Sequence, residues 1–230
     1  MLRIKWLLLL GSTVLLTAAD SSWKNKEISQ WTVEDAQQVL KSSPWVKPSV
    51  ATILPQRSEA QQRDSGRMGG GTGAGLEAFD PANLVGFGHP SRGFAANLQQ
   101  RRTLVVCWES ALAVRGAEAK IRTKDAPSWE GEYYAIAVFG VPGLEDQKTL
   151  PTELKKTAYL KLDGKKDWSP ARVEITYTSE TQATVLYLFP RYRQITKSDR
   201  EIWFVAQMGR LFVKQSFDAS EMQFQGKLEL

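Results

Sequence analysis

Residues 172–178 restrict this chain to folds that contain a half-buried sheet. Val173, Ile175 and Tyr177 alternate with Arg172, Glu174, Thr176 and Thr178, so one face is apolar and the other wet, which is the period of a strand. Residues 133–141 and 183–189 are apolar on both faces, as central strands are. Residues 157–162 lead into Asp163-Gly164, a hairpin turn signal. Residues 202–208 and 211–217 flank Gly209-Arg210, and a two-residue loop that begins with Gly suits a type II′ hairpin, because Gly accepts the positive φ required. Residues 110–120 are alanine-rich and read as a helix weakened by Gly116. Residues 151–156 read as a short helical turn. The expected fold class is α+β: a mainly antiparallel sheet of about six strands with a few short helices, preceded by a short N-terminal helix and a flexible linker.

The N-terminus reads as a signal peptide, residues 1–19. Arg3 and Lys5 precede an apolar stretch, residues 6–16, broken only by Gly11, Ser12 and Thr13. Thr17-Ala18-Ala19 then offers the small residues a signal peptidase reads, which places cleavage before Asp20. The stretch is too short and its downstream flank too polar for a membrane span. The mature chain is therefore expected to be exported, periplasmic or extracellular, with no integral span after cleavage. Residues 20–47 read as a short helical segment. Thr32 is an N-cap residue, Glu34 and Asp35 oppose the positive end of the helix dipole, and Pro44 stops the helix. Trp31 and Trp45 bracket it, as aromatic anchors in preference to a ligand clamp. Residues 48–100 read as a Gly-rich linker or excursion that ends before an α+β domain at 101–230. Its run Gly69 to Gly75 imitates a dinucleotide fingerprint through Gly69, Gly71 and Ala74. It lacks the preceding strand and following helix that such a motif needs.

Export without disulfides requires a real core. Cys107 is the only cysteine, so no intramolecular disulfide can form. It sits in the apolar run Leu104-Val105-Val106-Cys107-Trp108, the setting of a buried, inert thiol. His89 is the only histidine, which excludes a multi-histidine zinc site and weakens any triad. The formal net charge is +5, or +3 once Arg3 and Lys5 are removed. The basic residues are spread along the chain, unlike the concentrated face of a nucleic-acid binder. The densest group, Arg191, Arg193, Lys197 and Arg200, lies in one expected loop.

No catalytic, cofactor or metal motif emerges. Ser21 and Lys24 have Ser-x-x-Lys spacing beside the cleavage site, and no Gly-x-Ser-x-Gly elbow exists. Asp163 and Asp167 flank a glycine turn without the ligand spacing of an EF-hand. Glu109, Glu130 and Glu132 are candidates for the carboxylate pair of a glycosidase-like mechanism.

Several blocks carry a resemblance. Trp31-Thr32, Asp35-Ala36, Val39-Leu40 and Ser43-Pro44-Trp45 form one. Trp108 to Leu112 with Val114-Arg115 form a second, with Ala113 standing where Pro is expected. Phe189-Pro190-Arg191 and the ending Met222 with Phe224 to Leu230 complete the set. The pattern resembles uncharacterised exported proteins of acidobacteria. The resemblance implies export and a shared fold, and it implies no activity. The functional expectation is an exported non-catalytic domain that binds a protein or cell-envelope component, without cofactor, metal or nucleic acid. The alternative is a carboxylate-dependent secreted hydrolase.

Overall fold

The computed structural model describes residues 22–54, 101–121, 132–144 and 149–230. The expected signal peptide, the linker from residue 55 to 100, His89 and Glu130 lie outside the described residues. Two 3-10 turns (Ser22–Asn25, Ile28–Gln30) precede helix α1 (Val33–Ser42) and strand β1 (Val46–Ile53). Strand β2 (Arg102–Trp108), helix α2 (Leu112–Ile121), strand β3 (Tyr133–Pro142) and helix α3 (Leu150–Lys156) follow. Strands β4 (Ala158–Leu162), β5 (Arg172–Ser179), β6 (Gln182–Pro190), β7 (Glu201–Met208) and β8 (Leu211–Asp218) complete the main sheet. A small hairpin, β9 (Gln223–Phe224) and β10 (Lys227–Leu228), ends the chain.

The sheet corrects the expected fold class. Among the described residues it has eight strands in the order β4-β7-β8-β1-β2-β3-β6-β5, all neighbours antiparallel, and it curls into a half-barrel with three helices. The described residues are thus mostly sheet, where an α+β domain of about six strands was expected. Residues 22–53 are also no separate helical preface to a domain beginning at 101. They run directly into β1, which lies in mid-sheet between β8 and β2. The expected boundary at residue 48 falls inside this strand. Pro48 disguised it, since proline removes a ladder donor and argues against a central strand. The protein accommodates Pro48 because β1 meets β8 only at Thr52 and Ile53. At Pro48 one flank of β1 therefore carries no ladder.

Residues opposed across antiparallel strands share a face, and this register assembles the core. Trp108, Ile136, Tyr187 and Val173 form one row across β2, β3, β6 and β5, while Leu160 and Phe204 oppose one another across β4 and β7. All six are buried. Aromatic contacts knit the inner face together, from Phe217 to Trp108 at 5.5 Å, then Tyr134 at 5.9 Å, then Trp168 at 5.6 Å. Trp168 also pairs as an isolated bridge with Leu160 of β4, and α3 packs on β5. The β7–β8 turn forms with Gly209 at φ +59° and Arg210 at negative φ, as a type II′ turn requires.

Trp108 Nε1, Trp168 Nε1 and the Tyr187 hydroxyl are inner-face groups left unsatisfied among the described residues. The Tyr187 hydroxyl is buried without a hydrogen-bond partner among the described residues, and burial pushes its pKa far above the usual phenol range. Removing an unsatisfied buried polar group relieves a desolvation cost. Tyr187→Phe is therefore expected to leave stability unchanged or raise it by about 1 kcal/mol in urea unfolding. A loss of more than about 1 kcal/mol would show that the hydroxyl is satisfied in solution.

The N-terminal segment is clasped to this body by tryptophans. Trp23, Trp31 and Trp45 are fully buried. Trp23 contacts Trp31 at 6.0 Å and Trp45 at 5.8 Å, and Phe224 closes the cluster 5.5 Å from Trp31. The rings fill one another's space, which is the geometry of anchors. Asp35 organises the polar side of the clasp. It accepts from Lys26 Nζ at 2.7 Å, from the Ser22 hydroxyl and from the Thr32 N–H at 3.0 Å, while Thr32 Oγ1 accepts from Asp35 N at 3.2 Å. Those donors, Lys26 foremost, hold the Asp35 carboxyl well below the usual range. A depressed carboxylate pKa contributes stability above the unfolded value of about 3.9 and loses it as pH falls further. Asp35→Asn should therefore lower the melting temperature at pH 7, and the gap to wild type should narrow below about pH 4. A gap that stays constant down to strong acid would refute the role of the ionised carboxylate.

Candidate functional site

Helices α1 and α2 pack against each other, and α1 also packs on β1, on the outer side of the sheet. The second 3-10 turn also packs on α2, at a glycine. A Cβ on Gly116 would stand 2.6 Å from Ile28 Cγ2, so only glycine lets the second 3-10 turn seat against α2. The residue that weakens the helix in sequence terms is the one that admits its neighbour.

Between the helix pair and the outer faces of β1, β2 and β3 lies a cleft of 210 Å³. It is lined by Leu40 of α1, Val46 of β1, Val105 and Cys107 of β2, Glu109, Glu118 of α2 and Phe139 of β3. The register explains the walls. Val46 opposes Cys107, and Pro48, Val105 and Phe139 form the next outward-facing row. Val105 is 37% exposed at the mouth, and Val50, which opposes Thr103 in the neighbouring outward row, is 55% exposed.

The two carboxylates are held by different devices. Glu109 directly follows β2, where the chain turns into α2. Ser110 fixes that turn, since its hydroxyl oxygen accepts from Ala135 N at 3.0 Å. Glu118 lies on the buried stripe of α2 with Ala113, Val114 and Ala117. Glu109 is only 6% exposed and Glu118 3%. Burying carboxylates beside apolar walls is costly, and both line this cleft beside its apolar walls.

No known protein family, curated protein or solved structure matches the chain. The site must therefore be read from its own residues. Of the carboxylates expected from sequence, Glu109 lines the cleft and Glu130 lies outside the described residues. Glu132 is exposed ahead of β3, where its carbonyl accepts the Arg191 N–H at 2.9 Å. Glu118 escaped sequence reasoning because a charged residue in Ala-Glu-Ala-Lys reads as solvated helix surface. Its position four residues after Val114, on the apolar stripe, is the signal that would have found it.

Cys107 forms no disulfide and is buried on the cleft floor. Ser21 lies outside the described residues, and Lys24 stands 5.8 Å from the centre of the Trp23 ring. Asp163 and Asp167 are exposed on the loop after β4. Among the described residues no group of three or more His, Cys, Asp or Glu side chains is placed to hold a metal ion. None of their helices is long and apolar enough to cross a membrane.

Proposed function

We propose that this protein is an exported, non-catalytic binding domain and that its cleft seats an apolar side chain of a protein partner. The observation that carries this reading is that the apolar floor opens beside two exposed valines on neighbouring outward rows, Val105 and Val50. Leu40, Val46 and Phe139 lead outward to Val105 and Val50, and a pocket opening onto an apolar rim is where interface anchors dock. The test is affinity capture from cell-envelope extract with wild type, Val50→Lys and Val105→Glu. Both substitutions lie on exposed positions and should shift folding stability by no more than about 0.5 kcal/mol. A protein retained by wild type should be lost or held at least tenfold more weakly by both variants. Retention equal across all three would overturn the assignment.

A carboxylate-dependent hydrolase is the second reading, favoured by the presence of Glu109 and Glu118 in one cleft. It requires hydrolysis of a glycoside or ester substrate that Glu109→Gln and Glu118→Gln each abolish while the fold is retained.

A further inference from the structure

The outer face of β4, β7 and β8 lies apart from the cleft. The helices pack elsewhere: α1 on α2 and β1, α3 on β5 with a smaller contact on β7. Lys161, Trp203 and Ser216 form one outward row, and Tyr159, Val205 and Lys214 the next. Lys161 and Lys214 are exposed, while Trp203 and Tyr159 are half-buried. Lys214 Nζ stands 4.4 Å from the centre of the Trp203 ring. Neither lysine forms a salt bridge with a described residue. No acidic residue shares these two rows; Glu201 and Asp218 occupy the row beyond.

We infer that this face binds an anionic sugar polymer, with a sugar ring stacked on Trp203 and its acidic groups paired with Lys161 and Lys214. Three features choose this occupant. The backbone of β7 is paired on both sides, with β4 and β8, so an extended peptide cannot add to it as a strand and recognition must come from side chains. The two cations lie on the strands either side of β7, about 4.8 Å away, with Lys214 Nζ over the Trp203 ring, which concentrates positive charge at one aromatic side chain. An aromatic ring offers an apolar face to the C–H side of a sugar, and an ammonium pairs with carboxylate or phosphate as a point charge. Lys214 leaves the ring when the sugar arrives, and the exposed cation–π contact it gives up is a weak one.

The experiment uses the full mature chain and immobilised polygalacturonate, a phosphate-bearing mannan, neutral dextran and polyglutamate. Binding to at least one acidic polysaccharide is expected, weakening as salt is raised, with dextran and polyglutamate bound at least tenfold more weakly. The stronger of the two acidic polysaccharides identifies the acidic group. Trp203→Ala should reduce binding at least tenfold. Lys161→Gln with Lys214→Gln should reduce both affinity and salt dependence, and this pair of exposed positions remains decisive if Trp203→Ala fails to fold. Binding to neither acidic polysaccharide, equal binding to polyglutamate, or full retention by the double lysine variant would overturn the proposal. Val105→Glu should leave this binding unchanged, so its outcome is separable from that of the cleft.

Discussion

A chain ending at Asp199 is expected to lose cooperative folding altogether. The truncation removes β7 and β8, which join β4 to β1 and so hold the two parts of the sheet together. It also removes Phe204, whose ring lies 5.3 Å from Tyr187 and 6.3 Å from Phe189, and Phe217, 5.5 Å from Trp108. Ile202, Val205, Val213, Met222 and Phe224 are buried as well. Each large apolar side chain gains about 1.5–3 kcal/mol on burial. Several such losses exceed the roughly 5–15 kcal/mol that stabilises a whole domain. The truncated chain should show no sharp thermal transition and rapid proteolysis throughout. A retained sharp transition with native-like protease resistance would make the hairpin peripheral and this account of the core wrong.

Trp45→Ala is expected to cost about 3–5 kcal/mol, the usual loss for truncating a buried aromatic ring. Trp45 is fully buried. It links three parts of the chain: its ring contacts Trp23, its carbonyl accepts from Trp108 N at 2.8 Å, and its Nε1 donates to the Glu229 carbonyl at 2.7 Å. Alanine keeps the backbone link but leaves a cavity among the rings and deprives the Glu229 carbonyl of its donor. Urea unfolding should show a lower midpoint, and proteolysis should release the N-terminal segment earlier than in wild type. Trp45→Phe should recover part of the packing and none of the hydrogen bond. A loss below about 1 kcal/mol for the alanine variant would mean that the clasp contributes little.

The difference between these residues and Trp203 shows where sequence reasoning stops. Trp45, Trp108 and Trp203 each adjoin an apolar segment, and on paper each is explained by packing. In the fold the first two are buried at the clasp and inner face, while Trp203 stands half-exposed on the outer face beside two lysines. Which side of a strand points inward depends on how the sheet curls, and that is set by strands distant in sequence. The acids behave likewise. Glu109 and Glu132 looked equivalent, but the turn pinned by Ser110 carries one into the cleft and the start of β3 leaves the other exposed.

The sequence by itself determined the local devices. Alternation marked residues 172–178, Gly209-Arg210 marked the tight hairpin between β7 and β8, and the apolar run around Cys107 marked its burial. These are legible because strand period, turn φ and side-chain polarity act over a few residues. Only the tertiary structure decided that residues 46–53 insert into mid-sheet despite Pro48, that eight strands curl into a half-barrel, and that Glu118 lines the same cleft as Glu109. Those outcomes depend on pairing between distant segments: β1 with β2 and β8, and α1 with α2. Their free energy comes from burying surfaces that no single segment of the chain contains.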